Sequence, residues 1–143
     1  MLLPPKDHAV GKMPAKQLLL HEEVLANGLH LRCREAGNRY FGDYHRVVVA
    51  VEIHLPLDHH GLGKLDPALL ARARARYGAS LVTHKTLERM GVAGAEVTQV
   101  QQALLTAFLK QAHAYLARPD MPARMLVAEL ERQRSSVHLS PLR

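Results

Sequence analysis

A lone cysteine, Cys33, leaves no partner for an intrachain disulfide. That fits a reducing compartment, and a cytoplasmic location is expected. Aromatic residues make up 4% of the chain and tryptophan is absent, so little is offered for stacking the bases of a nucleic acid. The longest apolar run, "VVVAV" at 47–51, is far too short for a membrane span, and no membrane partner is expected. The opening "MLLPPKDHAVGKMP" breaks its apolar stretch with prolines, unlike the core of a secretory signal. The usual signatures of a zinc protease or a serine hydrolase, H-E-x-x-H and G-x-S-x-G, do not occur. "HHGLGK" at 59–64 lacks the G-x-x-x-x-G-K-[ST] spacing of a phosphate loop. No cofactor is expected and no catalytic residue is assigned.

What is present is a chain of 143 residues, 48% apolar, with a net charge of +6. The length suits one domain that folds without staples. Arginine outnumbers lysine 13 to 6. A basic balance attracts phosphate and anionic surfaces, although a GC-rich genome produces the same composition with no binding role.

Residues 1–16 carry three prolines and no periodicity, which reads as a flexible arm. Residues 17–134 read as a single domain, and 135–143 as a frayed tail. Within the domain, "QLLLHEEVLA-NG-LHLRCREA" at 17–36 reads as a hairpin about a two-residue type I′ turn at Asn27-Gly28. That turn would set Ala26 opposite Leu29, Val24 opposite Leu31, Glu22 opposite Cys33 and Leu20 opposite Glu35, all facing inward. Glu23 would pair with Arg32 on the outer face.

Residues 37–43 read as a loop and 44–55 as a long strand whose odd positions are core. Asp66 before Pro67 caps a short helix that Gly78 ends. The β-branched stretch 80–92 reads as a strand in preference to a helix. Residues 95–118 form a long amphipathic helix with an apolar stripe including Val97, Val100, Leu104, Leu105, Phe108 and Ala112. "PDMP" at 119–122 breaks it, and a last helix covers about 122–134. The order β-β-β-α-β-α-α implies an α+β fold, with an antiparallel sheet of about four strands packed on one face by the long helix in two layers.

The densest polar stretch is "HLPLDHHGLG" at 54–63. His54, Asp58 and His60 are the candidate metal ligands. His59 and His60 are neighbours, and neighbouring side chains of extended backbone point apart. A zinc site needs three or four ligands converging about 2 Å from the ion, so the stretch reads as a polar loop. His21, His30 and His54 could share the outer sheet face, paired with Glu23 and Glu52. Cys33 falls on an inward position and reads as a small buried hydrophobe.

Arg32, Arg34 and Arg46 would project from the outer face, with Arg72 and Arg76 on one side of the short helix. These five are the candidate anion-binding residues. The expected function is a non-enzymatic binding or interaction module capable of self-association. The alternatives are nucleic-acid or anion binding through the basic sheet face, and a small metal-dependent hydrolase using His54, Asp58 and His60.

"NGL-x-L" at 27–31, "GD" at 42–43 ahead of the valine strand, "LERMGV" at 87–92 and "YLARPDMPARM" at 115–125 fall in an order that resembles a family of small uncharacterised bacterial proteins. The resemblance spans about residues 17–130. It implies no activity and assigns no functional residue. The "GD" here precedes Tyr44-His45, where the family pattern has an arginine close behind.

Overall fold

The computed structural model describes residues 17–139. The expected arm at 1–16 and the end of the expected tail, 140–143, lie outside the described residues. Strands β1 (Leu19–Val24), β2 (His30–Glu35), β3 (Asn38–Phe41) and β4 (Tyr44–Pro56) are followed by helix α1 (Pro67–Tyr77) and strand β5 (Ser80–Ala93). Helices α2 (Val97–Gln111) and α3 (Met121–Leu139) complete the fold. The expected α+β class holds, with one strand more than expected ahead of the first helix, and residues 80–93 are a strand. No helix among the described residues is long and apolar enough to cross a membrane.

All pairings are antiparallel. β4 is the spine. β5 runs along one of its edges from Tyr44 to Pro56, while β2 and β3 share the other in succession. The sheet is therefore four strands wide, in the order β1-β2-β4-β5, with β3 prolonging the line of β2. The stretch expected as a loop at 37–43 is mostly this short strand, and only Gly42-Asp43 turns. Gly42 has φ +56, which lets the chain reverse within two residues.

The β1–β2 register differs from expectation by one residue. Glu23 faces Leu31 and His21 faces Cys33, while Val24 faces His30. Two bonds define the turn: Gly28 N–H donates to the Leu25 carbonyl and Leu25 N–H donates to the Leu29 carbonyl. This is a three-residue loop with a left-handed glycine, Gly28 at φ +94. A type I′ turn would need positive φ at Asn27 as well, and among the described residues no non-glycine residue adopts it. The one-residue change reverses the faces of β1. Leu25 is 4% exposed and fills the core, whereas Val24 is 65% exposed. His21 and Glu23 join the inner row, and Glu22 moves to the outer one. A bulge between Leu19 and His21 then lets Leu20 pack on the core.

β2 and β4 behave as expected. Leu31, Cys33, Val47, Val49, Val51, Ile53 and Leu55 are buried. Apart from Val47, these join Leu69, Leu70 and Ala73 of α1, Leu105 and Phe108 of α2, and Leu126 and Leu130 of α3 in one cluster. All three helices therefore lie on the inner side of the sheet. α1 begins as its sequence dictates, with the Asp66 side chain accepting from Ala68 N–H at 3.1 Å and Pro67 at the first position.

Two helix ends depart from expectation. α2 stops as an α-helix at Gln111, and Ala112–Leu116 form a π turn in which Ala117 N–H reaches back to the Ala112 carbonyl. α3 continues to Leu139 instead of ending near 134.

Candidate functional site

With every described helix on the inner side, the outer face of the sheet is covered by none of them. Register places Glu22, Arg32, Glu52 and His84 in one row across β1, β2, β4 and β5. The next row is Val24, His30, His54 and Val82. On the other side of the charged row stand Arg34, Ala50 and Thr86.

These side chains interlock. His30 Nε2 donates to Glu22 Oε2 at 2.8 Å, and Arg32 Nε lies 3.4 Å from the same oxygen. His54 Nε2 donates to Glu52 Oε1 at 3.0 Å, and His84 Nε2 lies 3.9 Å from the other Glu52 oxygen. The His30 and His54 rings are 5.7 Å apart. The hydrogen bond from His54 holds the Glu52 carboxyl below its ordinary range, partly opposed by burial. The Nε atoms of Arg32 and Arg34 are shielded from solvent without a hydrogen-bond acceptor.

Arg32, Arg34 and Arg46 are thus on this face as expected, but they do not form a bare basic surface. Arg46 Nε donates to Glu88 Oε2 at 2.6 Å. Three arginines stand among three glutamates, Glu22, Glu52 and Glu88. Arg32 pairs with Glu22, not Glu23, because of the register change. Arg72 and Arg76 lie elsewhere, exposed on α1, and Arg76 donates to Gln133 Oε1 at 2.6 Å. The five candidate anion-binding residues do not form one site.

The candidate metal ligands separate as well. His54 is engaged on the outer face, Asp58 is exposed in the turn after β4, and His60 is exposed and stacked on His59 with ring centroids 4.6 Å apart. No group of three or more histidine, cysteine, aspartate or glutamate side chains is placed to hold a metal ion among the described residues. His59 is a structural latch. Its Nδ1 accepts from Gly61 N–H at 2.7 Å, and its Nε2 donates to the Asn27 carbonyl at 2.5 Å. Both ring nitrogens are therefore occupied within the fold.

Sequence reasoning missed a second histidine–carboxylate cluster. His21 was expected on the outer face, but the register carries it inward. Its Nε2 donates to Glu23 Oε1 at 2.6 Å, and His113 Nε2, from the π turn, lies 2.9 Å from Glu23 Oε2. The His21 bond is the largest influence keeping the Glu23 carboxyl below its usual range; burial opposes it and His113 assists. This cluster ties α2 to the edge strand. Behind it Cys33 is buried, and burial pushes its thiol up to about 11. No sequence spacing connects residues 23 and 113; only the fold does.

Comparisons of the chain with protein-family models, with curated proteins and with solved structures find no match in any of the three.

Proposed function

We propose that this protein is a non-enzymatic interaction module that pairs with a second copy of itself through the outer face of its sheet. The supporting observation is the order of side chains across that face. Glu22, Arg32, Glu52 and His84 follow one another across the four strands. Consider a two-fold axis parallel to the strands, above the gap between β2 and β4. It lays β1 over the partner's β5 and β2 over the partner's β4.

Each arginine of the charged row then meets a glutamate, and each Glu22 meets a histidine. In the next row exposed Val24 meets a valine, and His30 meets a histidine. Arg34 meets an alanine, leaving room for the guanidinium. Isologous two-fold contacts need this self-complementarity, and stacked sheets keep their strands within about 30° of each other. Removing these charges from water offsets part of the gain, so the pairing is weak and concentration-dependent.

Nucleic-acid binding is the less favoured reading, because the sheet arginines are matched by glutamates. Sedimentation equilibrium across micromolar to millimolar protein, with and without short duplex DNA at low salt, separates the two. Reversible dimer formation with no DNA co-sedimentation is expected. A monomer throughout, or DNA binding that weakens steeply with salt, would overturn the reading.

A further inference from the structure

The opposite side of the molecule carries a feature that self-association does not use. Where α2 gives way to the π turn, an open groove of roughly 190 Å³ lies between the helix and the β5 edge. Ile53, Phe108 and Leu116 form much of its apolar lining, and Lys85, Gln111 and Tyr115 supply its polar groups. No aspartate or glutamate lines it.

Lys85 is an unusual occupant of its row. It faces Val51 across the β4–β5 ladder, and the neighbours of its own row, Leu81, Thr83 and Leu87, face Leu55, Ile53 and Val49. Lys85 therefore stands on the inward-facing side of an edge strand, yet no carboxylate among the described residues pairs with it. A lysine so placed lays its methylene stem along apolar surface and keeps its ammonium at the water boundary.

The helix side of the groove is specially shaped. The π turn re-aims the side chains after Gln111, and such turns are frequent at functional sites. Here it is fixed by bonds from outside the helix. Asn27 Nδ2 donates to the carbonyls of Leu116 and Arg118 at 2.6 and 2.7 Å, and Glu23 holds His113. The Arg118 guanidinium lies 5.2 Å from the centre of the Tyr115 ring.

We propose that this groove binds a small amphipathic carboxylate. The apolar tail lies against Phe108, Leu116 and Ile53, and the carboxylate sits at the mouth against Lys85. The volume is below the roughly 300–1,000 Å³ of drug-sized sites, so the ligand is a short acyl chain or a single ring. A preformed apolar floor beneath one cation selects for charge at one end and hydrocarbon at the other.

The test uses octanoate, octanol and octylamine as probes, read by amide chemical shifts of the full chain. Octanoate is expected to move the amides of Lys85 and of residues 108–116, and to bind about fivefold more tightly than octanol, the scale of one exposed ion pair. Octylamine is expected to bind weakest. Lys85→Ala, at an exposed position, should keep the octanol affinity and lose the preference for octanoate. Lys85→Glu should favour octylamine instead.

Equal binding of octanoate and octanol by the unmodified chain, shifts located outside the groove, or no shifts at millimolar probe would each overturn the proposal. Sedimentation of the octanoate-saturated chain reports the sheet-face association separately, since the groove is on the helix side.

Discussion

Asn27, at the tip of the first hairpin, donates from its amide to the main-chain carbonyls of both Leu116 and Arg118, at 2.6 and 2.7 Å. Its Oδ1 accepts from Leu29 N–H at 3.1 Å, which braces the turn itself. One side chain therefore closes the loop and satisfies carbonyls at and just beyond the end of the π turn. Asn27→Ala should lower stability by about 1–3 kcal/mol, since it removes three hydrogen bonds each worth about 0.5–1.5 kcal/mol net at most. Asn27→Asp should cost more, because a carboxylate would face two carbonyl oxygens. Urea unfolding midpoints of the two variants test the order.

Gly28 is required twice over. Its φ of +94 is left-handed, and a Cβ there would stand 2.5 Å from His59 Nε2. Gly28→Ala should cost more than about 1 kcal/mol, beyond the backbone penalty alone. In a His59→Ala background the same change should cost less, since only the backbone strain remains. A double-mutant cycle on thermal or urea stability reads the difference.

Cys33 should be inert in the native state. It is fully buried and its thiol is pushed up to about 11, so little thiolate exists at neutral pH. Labelling with a disulfide reagent should proceed only in urea, at a rate that follows unfolding. Rapid labelling of the native chain would contradict the assigned inner face of β2.

Glu23 and Glu52 should contribute to acid unfolding. Both carboxyls titrate below the ordinary value of 4.5, chiefly through hydrogen bonds from His21 and His54. A folded-state pKa below the unfolded one adds stability that is present above 4.5. That stability is lost as pH falls through this value toward the depressed one. Glu23→Gln should therefore be less stable than the natural chain at pH 7, with the gap narrowing on acidification. Urea titrations at a series of pH values check the sign.

Much of this fold was legible in the sequence because its signals were local and redundant. Asp66-Pro67 and Gly78 bound α1, the valine run of β4 alternates cleanly, and the stripe from Val97 to Ala112 locates α2. The hairpin turn was misread because Asn-Gly serves two turn types. The deciding contributions were tertiary: Leu25 fills the core, and the Asn27 amide reaches the end of the π turn. The π turn had no local signal for the same reason.

The charged row on the outer face was half visible. Alternation placed Arg32, Arg34 and Arg46 together. The register then put Glu22 where Glu23 was expected, and the β4–β5 pairing brought Glu88 to Arg46, a partner no sequence spacing indicated.

Charge exchange across the proposed two-fold contact addresses the central claim most directly. Arg32→Glu and Glu52→Arg should each make the chain monomeric in sedimentation velocity at concentrations where the natural chain dimerises, since each sets like charges over one another. The chain carrying both substitutions should dimerise again, with circular dichroism confirming that all variants fold. A dimer indifferent to the single changes, or a double variant that stays monomeric, would contradict the pairing of these sheet faces.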